Sequence, residues 1–144
     1  NPTDGTTKPK NLAALLDAVS RGRVLKVVGE GNPPSITRRA YVLSQQLAEH
    51  ATVVRSLPSF VEVTAPGATK GAALQVVAAL LGISATDVVA FGDAENDVSM
   101  LRWAGQSYAP VDGMLAARRA ARATMPSVDD DGVAQILRTL GVIA

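Results

Sequence analysis

The sequence has 144 residues, 47% of them apolar and 19% charged, which is enough chain for one domain with a proper core and the balance of a soluble globular protein. A formal net charge of +1 gives no general field for nucleic acid or an anionic membrane, and 3% aromatics leaves few platforms for stacked bases. Without cysteine there are no disulfides or thiolate zinc sites, and one histidine, His50, cannot make a histidine metal centre or a catalytic triad.

Asn1 to Lys10 is polar, rich in turn formers, and reads as turn or loop. Asn11 to Ser20 places Leu12, Leu15, Leu16 and Val19 at helical spacing; Arg21-Gly22-Arg23 ends that helix, and Val24 to Val28 follows as a strand. Gly29-Glu30-Gly31-Asn32-Pro33-Pro34 reads as a loop. Its Gly-x-Gly is weak evidence for a phosphate loop, because two prolines oppose running straight into a helix. Ser35 is the expected cap of a helix through about Glu49, with Tyr41, Val42 and Leu47 among its apolar positions and His50 at its end. Thr52 to Ser56 and Phe60 to Thr64 read as short strands broken at Leu57-Pro58-Ser59, and Ala65 to Ala68 as a crossing.

The next helix has Leu74, Val77, Ala78 and Leu81 on one face and Thr69 as its cap. Lys70 then falls in the first turn, where the helix dipole disfavours a cation; it is either an ordinary surface lysine or one kept there for a function. Val88 to Phe91 reads as a buried parallel strand that stops at Gly92, just before Asp93, Glu95, Asn96 and Asp97. Ligands of open α/β sheets bind outside the carboxyl ends of the strands, so these oxygens form a candidate metal or phosphate site. Asp93 is expected to cap a helix beginning near Ala94, with Asp97 one turn along the same face. Hard oxygen ligands that leave room for water suit Mg²⁺, while an acidic helix start favoured by the dipole needs no ligand at all.

Beyond this, Gln106 to Ala109 reads as a strand and Asp112 to about Arg122 as a helix, whose Arg118, Arg119 and Arg122 read as a solvated face. Asp129-Asp130-Asp131-Gly132 lacks the alternating spacing and closing glutamate of a calcium loop, and serves better as the start of a helix carrying Val133, Ile136, Leu137 and Leu140. No stretch approaches the roughly 20 apolar residues of a membrane span, and no charged-then-apolar leader opens the chain, so the expected address is the cytoplasm.

The string Gly92-Asp93-Ala94-Glu95-Asn96-Asp97, with Met100-Leu101 after it, closely resembles the last motif of the haloacid-dehalogenase-like (HAD) phosphatases in their Cof-type branch. The resemblance extends from about Val24 to the C-terminus. It implies an α/β fold in two parts: residues 1–65 as part of an α/β cap domain, and residues 66–144 as the C-terminal part of a HAD-like Rossmannoid core, a parallel sheet flanked by helices. Lys70-Gly71 stands where the family has a Lys-Gly pair, which implies that Lys70 is catalytic, steadying a nucleophilic aspartate and the transferring phosphoryl group. Mg²⁺ would be held by Asp93 with help from Asn96 and Asp97. Asp112 stands where the family usually has an asparagine near the substrate phosphate, and a negative charge there opposes an anionic substrate unless metal or lysine compensates.

The reaction so implied is Mg²⁺-dependent hydrolysis of a phosphate monoester, a sugar phosphate or other small metabolite, through an aspartyl-phosphate. The family's Asp-x-Asp strand and its phosphate-holding Ser or Thr are not found. Thr3-Asp4-Gly5-Thr6 looks like the tail of the nucleophile motif, yet no apolar strand precedes it and Pro2 replaces the first aspartate. The expectation is therefore a C-terminal part of a longer protein, inactive by itself, whose missing segment or another chain supplies the strand beside Phe91. A non-catalytic chain that binds a phosphorylated ligand or a partner protein is the alternative. An unrelated nucleotide-binding domain would need a glycine-rich turn between strand and helix, and the sequence has no convincing one. Neither nucleic acid nor membrane is an expected partner.

Overall fold

Val61-Glu62-Val63-Thr64 alternates apolar and polar residues, and with the Val27-Val28 and Val53-Val54 pairs of the neighbouring strands it builds an antiparallel sheet with one face for a helix. The structure is a computed structural model that describes residues 13, 14, 17–19, 21 and 25–144. It divides into two compact units, Asn1–Ala68 and Thr69–Ala144.

The first unit contains β1 (Lys26–Glu30), α1 (Pro33–Leu47), β2 (Thr52–Leu57) and β3 (Phe60–Thr64), in the sheet order β1-β3-β2 with both pairings antiparallel. Val27, Val63 and Val53 lie abreast across the three strands, as do Gly29, Val61 and Arg55. Ile36, Leu43 and Leu47 of α1 close over this face to form the core. The other face carries Lys26, whose Nζ lies 3.0 Å from Glu62 Oε1.

Several expectations for this half need correction. Helix α1 begins at Pro33, directly after Asn32, whose side chain accepts a hydrogen bond from the Ser35 N–H at 3.0 Å. The prolines are tolerated because first-turn residues have no intrahelical use for an N–H, so they open the helix instead of opposing it. Gly29 and Glu30 belong to β1, which leaves only Gly31 and Asn32 between strand and helix. Tyr41 points outward at 68% exposure, and the buried stripe runs through Ile36, Leu43 and Leu47. A 3₁₀ turn, Ala48–His50, follows α1 and leaves His50 exposed. Of the first expected helix, residues 13, 14 and 17–19 are helical and Val19 is buried; Leu12, Leu15, Leu16 and the Thr3 to Thr6 tetrapeptide lie outside the described residues.

The second unit runs α2 (Lys70–Leu81), β4 (Val89–Phe91), α3 (Val98–Trp103), β5 (Gln106–Pro110), α4 (Leu115–Ala120), β6 (Ala123–Met125) and α5 (Gly132–Thr139). Among the described residues its three strands are parallel in the order β4-β5-β6, so β4 forms one edge. The core is made of small residues, with Ala90, Ala104, Ala109 and Ala117 around Leu101. Small side chains let helices lie close to the sheet.

Strand β4 is less buried than its apolar run implies: Ala90 is buried, while Val89 and Phe91 are half-buried, as suits an edge. Helix α2 is apolar nearly all round, so periodicity alone could not select its inner face. Gly71 and Ala78 face inward, whereas Val77, Leu80 and Leu81 are 50%, 82% and 66% exposed. The helix expected from Asp112 starts only at Leu115, after a turn at residues 111–113, and stops at Ala120. It makes room for β6, a strand too short to stand out in the sequence. Gly132 opens α5 where a Cβ would lie 2.1 Å from the Pro126 carbonyl oxygen, so the acidic run does lead into a helix. Among the described residues no helix is long and apolar enough to cross a membrane.

Candidate active site

The candidate site lies at the carboxyl end of β4 and is held by the first turns of two helical segments. Thr69 caps α2, its hydroxyl accepting from the Ala72 N–H at 3.1 Å, and this places Lys70 in the first turn. From there the half-exposed lysine reaches Asp97, with Nζ 2.5 Å from Oδ1. Asp97 is buried, 3% exposed, and its second oxygen accepts from the backbone N–H groups of Asp93 (3.0 Å) and Ala94 (3.1 Å).

Asp93 was the expected cap, and the roles are reversed. After Gly92 the chain makes a 3₁₀ turn, Glu95–Asp97, before α3, and it is the carboxylate of Asp97 that satisfies the orphan N–H groups at the turn's start. Gly92 is required for this closure, because a Cβ there would lie 2.5 Å from Asp97 Cβ. Asp93 is left exposed at the strand end. Both Asp97 oxygens thus carry N–H donors, while Asn96 Oδ1 is buried with no hydrogen-bond partner. An orphaned buried amide oxygen and, three residues before it in the chain, an exposed carboxylate are oxygen ligands of the hard kind that Mg²⁺ accepts. Among the described residues no three His, Cys, Asp or Glu side chains cluster as a metal cage. Mg²⁺ does not require one, since it keeps several waters.

Asp112 is exposed in the turn after β5. That turn is fastened to the loop carrying Asp93: the Met114 N–H donates to the Asp93 carbonyl at 2.7 Å, and Gly113 passes where a Cβ would lie 3.3 Å from the same oxygen. Arg122 is turned away to the Ala104 carbonyl, 3.1 Å from its Nε. The backbone donors to Asp97 and the Met114 tie carry no side-chain signal, and the sequence could not announce them. One further contact, between the Gly71 N–H and Ser99 Oγ at 3.0 Å, could have been suspected only from the glycine beside Lys70.

A parallel sheet that ends in a lysine–carboxylate cluster, preceded in the chain by an antiparallel sheet backed by a helix, is an α/β architecture in two units. Residues 4–137 match the model of haloacid dehalogenase-like hydrolases, and the chain belongs to that family. Its relatives lie in the Cof-type, subclass IIB phosphatase group. The protein YxeH of Bacillus subtilis is 33% identical over 115 residues, 80% of this chain and 43% of YxeH. The HMP-PP phosphatase of Escherichia coli is 40% identical over 87 residues, 60% of this chain and 32% of that enzyme. Among solved structures, a subclass IIB sugar phosphatase superposes with a TM-score of 0.69 at 25% identity, covering 83% of this chain and 44% of the other. The chain spans less than half the length of each of these relatives.

Proposed function

We propose that this chain is the lysine- and metal-bearing part of a Mg²⁺-dependent phosphate-monoester hydrolase acting on a small phosphorylated metabolite. The observation that carries the reading is the arrangement around Asp97. One carboxylate holds the Lys70 ammonium on one oxygen and, on the other, the backbone that presents Asp93. Two charges needed at one phosphoryl group thereby share a single buried anchor, which favours a preorganised arrangement around the developing charge.

In this reading Asp93 and the unpaired Asn96 oxygen hold Mg²⁺, and Asp97 supports them from behind through the backbone. The metal supplies charge neutralisation at the phosphate oxygens. Lys70 points its half-exposed ammonium toward the same anion and stabilises charge as the phosphoryl group transfers. Asp112, on the turn tied to Asp93, faces substrate where a neutral amide would be easier to accommodate. The nucleophile and the general acid come from an Asp-x-Asp strand of the longer protein, which forms the aspartyl-phosphate and pairs with the free edge of β4. The antiparallel unit is part of a substrate-selecting cap, the division falling near residues 65–66. The HMP-PP phosphatase and the sugar phosphatase among the relatives support a small phosphate ester as the substrate class, and a cytoplasmic address belongs to the same reading.

The test is Mg²⁺-dependent phosphate release from a panel of small phosphate esters, by this chain and by the gene's product read from its natural start. Turnover by the longer product alone, abolished by Lys70→Met, is the expected result. Turnover by this chain, or none by either, overturns it. The free edge of β4 also favours a second reading, a non-catalytic chain that recruits a partner strand, and inactivity of both products would leave that one standing.

A further inference from the structure

Lys70 has four rotatable side-chain bonds and is 52% exposed, so its contact with Asp97 does not by itself fix where its ammonium lies. What limits the lysine is the position of its backbone. The Gly71 N–H, one of the orphan donors of the first turn of α2, donates to Ser99 Oγ at 3.0 Å. A Cβ on Gly71 would lie 2.6 Å from the Ser99 carbonyl carbon and 2.7 Å from its oxygen, so the two helix starts touch backbone to backbone. Asp97 and Ser99 are two residues apart. One short segment therefore holds Lys70 twice, the ammonium through a carboxylate and the following peptide through a hydroxyl.

We infer that Ser99 is a positioning residue for Lys70. Its hydroxyl substitutes for the missing intrahelical acceptor of Gly71, docks the start of α2 on the start of α3, and brings the lysine within reach of Asp97. Threonine at Thr69 already serves the Ala72 N–H, so Ser99 is not a redundant cap. The significance of the clamp rests on the catalytic reading of Lys70, whereas its existence can be tested without any turnover.

The experiment is a double-mutant cycle of Lys70→Met and Asp97→Asn on the unfolding equilibrium of this chain, carried out with serine and with alanine at position 99. With serine, the lysine–aspartate coupling is expected to be about fivefold in the unfolding constant, and Ser99→Ala should bring it close to one. Ser99→Thr, which keeps the hydroxyl, should restore it and Ser99→Val should not. A merely structural serine would lower stability equally in all four backgrounds and leave the coupling unchanged; that result overturns the inference. Should the alanine variant not fold, the threonine and valine variants carry the comparison, and hydrogen exchange of the Gly71 amide in the unmodified chain gives an independent readout: rapid exchange overturns the clamp, protection supports it. In the longer gene product, Ser99→Ala should lower kcat with little change in KM. Lost coupling alongside a longer product that releases no phosphate refutes the phosphatase reading and leaves the clamp intact.

Discussion

Replacing Asp97 by alanine probes the anchor of the candidate site directly. The side chain is 3% exposed and accepts three donors: Lys70 Nζ, and the N–H groups of Asp93 and Ala94. Alanine leaves both backbone donors without an acceptor, and an unsatisfied buried donor costs about 1–3 kcal/mol. The Ala94 N–H is fully enclosed and the Asp93 N–H only partly, so the expected sum is about 2–4 kcal/mol. Loss of the Lys70 ion pair adds at most about 1 kcal/mol, because a half-exposed ammonium can turn to water. Asparagine keeps one oxygen for the two N–H groups and loses only the ion pair, which sets its cost at about 1 kcal/mol. Urea unfolding followed by circular dichroism reads the difference. With a slope of about 1–3 kcal/mol per molar urea, Asp97→Ala should move the midpoint down by about 1–2 M and Asp97→Asn by about 0.5 M. Equal shifts for the two variants would refute the assignment of the stability to the backbone donors, and no shift for alanine would refute the anchor altogether.

Asp93→Asn should leave stability within about 0.5 kcal/mol, because the residue is exposed, while removing Mg²⁺-dependent phosphate release from the longer gene product and the heat of Mg²⁺ binding in titration calorimetry. Gly92→Ala places a methyl 2.5 Å from Asp97 Cβ, and the overpacking should cost about 1–3 kcal/mol and disturb the Lys70 contact, visible as a lowered unfolding midpoint and altered amide shifts at Asp93 and Ala94. In the first unit, Asn32→Ala removes the cap of α1 and should cost about 1 kcal/mol in thermal unfolding, with Asn32→Ser close to the parent.

Most of the element order was legible because short valine-rich runs bounded by turn residues mark β1 to β3, and an apolar strand ended by Gly92 marks β4. The misreadings have separate physical causes. Pro33 and Pro34 looked like breakers because their lost N–H matters inside a helix, and at the first two positions it does not. Tyr41 is among the apolar positions expected of α1, yet it lies off the buried stripe of Ile36, Leu43 and Leu47. Helix α2 offered too many apolar residues to choose among, and its real inner face is marked by Gly71 and Ala78, the two that permit close contact. Strand β6 is three residues long, so no periodicity could reveal it. At the site, Asp93, Asn96 and Asp97 stand out as oxygens gathered at a strand end, while Lys70 is singled out only by the resemblance of its Lys-Gly pair to the family's. The division of labour among the four carries no such mark, since it depends on which oxygen meets which backbone N–H.

That division follows from how small the second unit's inner residues are. Gly71 lets α2 touch the backbone of Ser99, and Gly92 lets the chain fold back on Asp97. Ala90, Ala104, Ala109 and Ala117 keep the neighbouring helices close to the sheet. With larger side chains at these positions the first turn of α2 would stand farther from α3, and the lysine would have to stretch into water to find a carboxylate. An ion pair formed in that way by a mobile lysine contributes little and fixes no position. Close backbone approach converts the same two residues into a fixed pair with one partner buried, and a fixed charge is what stabilises a transition state without reorganising during the reaction. The alanine-rich core and the catalytic reading of Lys70 are thus parts of one physical explanation, and substitutions that enlarge Gly71 or Gly92 should act on the charge pair as well as on packing.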